Sequence, residues 1–213
     1  MIGTSPSASP AVPAVPLPRR PLTAGGAGGQ ERMRWWYESV LGWPTAPGAP
    51  VRLRVGDRFD VLDVPAEAGH AALRRLGRPG PACEGPRFPV AVRGERMLLL
   101  VAAGGADELP GLLEWLEWGS LELDLTAVGA GGLMRAPLVP GTDPAGLPPR
   151  TPGRDGSQGA AVWLRPPEPG CEAEASLPTL SALGGTGTAL DLAGLVRALA
   201  TQCHRVRLSR ATR

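Results

Sequence analysis

The sequence predicts an α+β fold, with a mixed or mostly antiparallel sheet flanked by helices and a disordered N-terminal lead. Three observations carry this. Short apolar runs of strand character, such as Arg58–Val64 and Met97–Ala102, alternate with segments whose apolar residues recur at helical spacing. The connections are of both kinds, a tight Gly94-Glu95 turn suited to a hairpin and longer helical crossovers. Glycine (30) and proline (25) are unevenly placed, 26 of the 55 lying in 1–30 and 136–170, which leaves a remainder of ordinary globular composition.

Residues 1–30 alternate Pro, Ala, Ser and Val and end in a glycine-rich hinge, Gly25 to Gly29, so a disordered lead is expected there. A helix over Gln30–Leu41 carries Trp35, Trp36 and Tyr37 and stops at Gly42-Trp43-Pro44. Strands follow near Val51–Val55 and Arg58–Val64. Pro65 suits the first turn of a helix through Leu76, with Gly77 as its stop. A strand at Pro89–Arg93 turns through Gly94-Glu95 into the apolar run Met97–Ala102. Asp107 opens a helix to Trp118, after which Gly119-Ser120 leads into a strand over Leu121–Leu125. Gly129–Gly132 turn the chain into Leu133–Arg135. The stretch 141–160 reads as a flexible loop, Ala161–Arg165 as a last strand centred on Trp163, and Ala189–Leu199 as a C-terminal helix before a basic tail, 206–213.

Length and charge bound the function class. A chain of 213 residues holds one ordinary domain with a proper core. All 22 basic residues are arginine, a bias expected of a GC-rich bacterial genome, and the net charge of +2 demands no polyanionic partner. Cys83, Cys171 and Cys203 are far apart and odd in number, with no CxxC or Cys/His spacing, so neither a disulfide framework nor a structural zinc site is indicated. Residues 1–20 have no basic n-region followed by an apolar stretch, and no run is long enough to span a bilayer. A cytoplasmic protein with no membrane partner is the expectation.

The chemistry-bearing residues are two carboxylates, each on an apolar run: Asp63 in Leu62-Asp63-Val64 and Asp124 in Leu123-Asp124-Leu125. Carboxylates at a sheet surface are how metal-dependent phosphoryl transfer holds its cations. Around them, local patterns occur in a telling order: Tyr37 with Gly42-Trp43-Pro44; Leu62-Asp63-Val64-Pro65 with Gly69 and Ala71-Ala72-Leu73; Gly94-Glu95-Arg96-Met97-Leu98-Leu99; Leu123-Asp124-Leu125 with Gly129–Gly132 and Ala136-Pro137; and Val162-Trp163. Taken together, over roughly 35–200, these resemble the bifunctional DNA primase/polymerase domain of the archaeo-eukaryotic primase superfamily. The likeness implies a primase/polymerase-like domain over 31–205. It also implies template-directed nucleotide addition with Mg²⁺ or Mn²⁺ held by Asp63 and Asp124, and Arg96 on a phosphate.

Two departures point the other way. The family's second acid of the first motif falls at Pro65, which has no side-chain oxygen, and its motif histidine falls at Arg96. Residues i and i+2 of a strand share a face, whereas Asp60 and Asp63 are i and i+3 and do not. The expectation is therefore a degenerate member with no cofactor, which binds nucleic acid or a nucleotide or serves as a protein-interaction module. The alternative is an active metal-dependent primase/polymerase with Asp63 and Asp124 as catalytic metal ligands.

Plainer roles stand beside each functional one. Asp63 and Asp124 can be strand residues satisfied by backbone or arginine donors, and Arg96 a carboxylate-paired strand end. His70 and His204 have no second ligand at helical or hairpin spacing and read as surface or cap residues. No Cys/His pair marks a nucleophile. Trp35, Trp36, Trp115 and Trp118 suit base stacking, though the i, i+3 spacing of Trp115 and Trp118 on a helix favours core packing. Arg205, Arg207, Arg210 and Arg213 suit either phosphate contacts or a solvated helix end. The glycine groups at 25–29, 129–132 and 184–187 lack the strand-and-helix context of nucleotide-binding loops.

Overall fold

A computed structural model describes residues 27–77, 88–141, 160–168, 176–180 and 191–212. The lead up to Gly26, most of the expected 141–160 loop, Cys83, Cys171, the glycine group at 184–187 and Arg213 lie outside the described residues. The fold is mixed α+β, with two antiparallel sheets and helices against them.

Helix α1 (Ala27–Trp35) continues into a π-helical turn, Trp36–Val40. It starts inside the glycine-rich stretch expected to be a hinge. Strands β1 (Thr45–Ala46), β2 (Arg52–Arg54) and β7 (Leu133–Arg135) form a three-stranded sheet in the order β1-β2-β7. The five-stranded sheet has the order β6-β3-β5-β4-β8, from β3 (Phe59–Pro65), β4 (Val90–Arg93), β5 (Arg96–Ala102), β6 (Thr126–Val128) and β8 (Val162–Arg165). Every neighbouring pair in both sheets is antiparallel. Helices α2 (Ala66–Leu76), α3 (Gly105–Trp115) and α4 (Leu192–Ala211) complete the described elements.

Strand alternation gives the large sheet two distinct faces. Asp60, Leu62 and Val64 of β3 share one face with Met97, Leu99 and Val101 of β5. The helices cover this face. A Cβ on Gly69 of α2 would lie 2.3 Å from Met97 Sδ, and one on Gly105 of α3 would lie 2.9 Å from Val101, so both glycines are close-approach positions. On the opposite face Phe59, Val61 and Asp63 stand with Arg96, Leu98 and Leu100. The Phe59 ring lies 4.6 Å from Trp43, which in turn lies 6.3 Å from Tyr37 and 6.4 Å from Trp163. The Tyr37 hydroxyl donates to Pro137 O (2.8 Å) and accepts from Trp163 Nε1 (3.1 Å). Burial pushes the Tyr37 pKa upward, partly offset by the bond from Trp163.

The structure departs from expectation at four places. Leu121–Leu125 is not a strand, because α4 side chains take carbonyls that a ladder would have used: Arg207 donates to Glu122 O and Cys203 Sγ to Asp124 O. Helix α3 runs two residues earlier than Asp107 and ends at Trp115, with Gly104 at φ +89° before it. Trp115 is 69% exposed rather than core, and Trp118 is half-buried with its ring 5.7 Å from His204. Helix α4 continues through Ala211, so the arginines at 205, 207 and 210 sit on its last turns and not in a tail. Its start is capped by Asp191, whose carboxylate accepts from Ala193 N and Gly194 N.

A candidate carboxylate–arginine site

Asp63 lies near the end of β3, and the register sets it opposite Leu98 of β5 and Thr126 of β6. Asp124 stands two residues before β6, and Arg96 is the first residue of β5, opposite Pro65. Arg93 and Arg96 are cross-strand partners either side of the Gly94-Glu95 turn, where Gly94 takes φ +59°. These placements gather four side chains, from three strands and the approach to a fourth, at one end of the sheet.

The sequence-predicted residues meet directly. Arg96 Nε donates to Asp63 Oδ1 at 2.6 Å, Nη1 to Asp124 Oδ1 at 2.6 Å, and Nη2 to the Asp63 carbonyl at 3.1 Å. Arg93 Nη2 is 3.8 Å from Asp63 Oδ2. Asp63 and Arg96 are largely sheltered, at 17% and 28% side-chain exposure, while Asp124 is half exposed at 51%. Burial alone would lower the Arg96 pKa, but hydrogen bonds and charge from Asp124 and Asp63 outweigh it and raise the pKa above its ordinary value. The guanidinium is a fixed cation joining the two acids.

From behind, α4 holds the same segment. Cys203 Sγ is 3.6 Å from the Asp124 carbonyl, and Arg207 pairs with Glu122 (3.6 Å). Burial, then the charge of Asp124, pushes the Cys203 thiol up to about 12, which keeps it protonated and a poor nucleophile. His70 and His204 are half-buried on α2 and α4, and neither joins a metal-ligating group.

The residues present do not fit a catalytic metal as they stand. Among the described residues no group of three or more His, Cys, Asp or Glu side chains could hold one. A Mg²⁺ bonded to Asp63 Oδ1 at about 2.1 Å would sit within about 4.7 Å of Arg96 Nε, given the 2.6 Å bond between those atoms. Divalent-to-guanidinium repulsion there is about 7 kcal/mol at an effective dielectric of about 20. Asp60 offers no substitute. It is 1% exposed on the helix-covered face, where its Oδ2 accepts from Ala106 N (2.9 Å) at the start of α3.

Two parts of this arrangement escaped sequence reading. Arg93 was discoverable, because a two-residue turn at Gly94-Glu95 makes Arg93 and Arg96 neighbours. The contacts from Cys203 and Arg207 were not, since 79 and 85 residues separate them from their acceptors with no local pattern to join them. The chain matches no protein-family model, and comparisons with curated proteins and with solved structures give no match either.

Proposed function

We propose that the chain is a catalytically impaired relative of the bifunctional DNA primase/polymerase domains. Its role is to bind a nucleic acid, a nucleotide or a partner protein rather than to transfer nucleotides. The observation that carries this is the Arg96 guanidinium, hydrogen-bonded to both Asp63 and Asp124 where two acids would otherwise grip a cation. Further support comes from the order of the motifs and from the way their aromatic parts meet: Tyr37, Trp43 and Trp163 form one cluster with the Pro137 carbonyl.

A second reading has one observation in its favour, the meeting of the two aspartates at one end of the sheet. In it Arg96 swings onto a substrate phosphate and frees Asp63 and Asp124 for Mg²⁺ or Mn²⁺. Nucleotide incorporation on a primed template, with each metal in turn, separates the two. The impaired site gives no incorporation above background. Metal-dependent incorporation that is lost in both Asp63→Ala and Asp124→Ala would establish the enzyme instead.

A further inference from the structure

Helices α2 and α4 pack against each other over the sheet face that turns away from Asp63 and Arg96. Between them they carry six arginines and a single acid, Glu67. Arg74, Arg75, Arg197, Arg205 and Arg210 are exposed, and none is in an ion pair with a described residue. Six arginines and one acid give these two helices a net charge of +5, in a chain whose net charge is +2. On α4 the pattern is ordered. Leu192, Leu195, Val196, Leu199, Cys203 and Val206 face the core, and Arg197, Thr201, Arg205 and Leu208 form the outer stripe at helical spacing. Arg197 and Arg205 are about 12 Å apart along the axis at 1.5 Å per residue.

We infer that this outer surface of α2 and α4 docks the phosphate backbone of a nucleic acid. Backbone recognition needs spaced cations, which Arg197 and Arg205 provide. A membrane-surface helix instead points a wide apolar face at lipid, and the apolar face of α4 is already in the core. A protein interface would want buried aromatic anchors at its centre, and neither helix has a Phe, Tyr or Trp. The inference narrows the binding role proposed above but does not rest on the loss of catalysis. Detection of incorporation would overturn the impaired site and leave this surface standing.

The test is fluorescence anisotropy of the full chain with a short labelled DNA duplex, titrated with salt between about 50 and 200 mM. Binding should weaken steeply with salt. Arg197→Gln/Arg205→Gln should lower the slope of log K against log salt by about two and weaken binding by about tenfold or more. Arg74→Gln/Arg75→Gln, on the other helix, should act in the same direction. The inference fails if no binding occurs at the lowest salt, if both arginine pairs leave the slope unaltered while circular dichroism reports a native fold, or if only anionic vesicles are bound.

Discussion

Arg96→Ala is the most informative perturbation of the aspartate pair, because it removes a cation that both acids share. The bond to Asp63 is short, largely sheltered and charge-assisted, a class contributing about 1.5–3 kcal/mol. The bond to Asp124 is equally short but half exposed, so solvent screening limits it to about 0.5 kcal/mol. Together they predict a loss of about 2–3.5 kcal/mol, or about 4–14 °C in Tm for a chain of this size. Differential scanning fluorimetry and urea unfolding measure it directly. The variant should also acquire a divalent-ion site. With the guanidinium gone, Asp63 and Asp124 can share a divalent ion, and Mn²⁺ at about ten times its Kd should return about 1.4 kcal/mol to the variant. The wild type should not respond. An Arg96→Ala protein that melts with the wild type, or a wild type stabilised by Mn²⁺ as strongly as the variant, would refute the reasoning.

Three further outcomes follow from contacts elsewhere. Tyr37→Phe strands the buried Pro137 carbonyl and the Trp163 indole N–H, and should cost about 1–3 kcal/mol in urea unfolding. Asp60→Ala removes the acceptor for Ala106 N at the start of α3 and should cost about 1–2 kcal/mol, with a loss of helical circular dichroism on heating before the main transition. The Cys203 thiol titrates near 12 in the fold against about 9 when unfolded, so its neutral form stabilises fully below pH 9, a contribution lost as pH rises towards 12. Tyr37, also raised, acts in the same direction. Cys203→Ser should therefore show a shallower alkaline decline in Tm than the wild type, measured from about pH 8 to 11.

Much of the local structure was legible because its signals are local. Pro65 and Gly77 bracket α2 at the predicted residues, and Gly94-Glu95 joins β4 to β5 as a two-residue hairpin. The apolar run of β5 is buried almost throughout, as a central strand should be. Errors arose where long-range partners overruled local pattern. Leu121–Leu125 alternates like a strand, yet its carbonyls bond to side chains of α4. Trp115 and Trp118 share a helical spacing, yet α3 ends at the first of them, which leaves one ring in solvent and the other against His204.

The chain alone determined its α+β class, the placing of the crossover helix α2, and the separation of Asp60 from Asp63 onto opposite faces. Periodicity and turn chemistry act within a few residues and need no partner. Tertiary structure alone decided that one guanidinium, Arg96, bonds to both Asp63 and Asp124, that Cys203 and Arg207 hold the Asp124 segment, and that the helical arginines lie on the other side of the sheet. The reason is physical: strand order and register bring distant charges together, and no spacing along the chain encodes which strand will lie beside which.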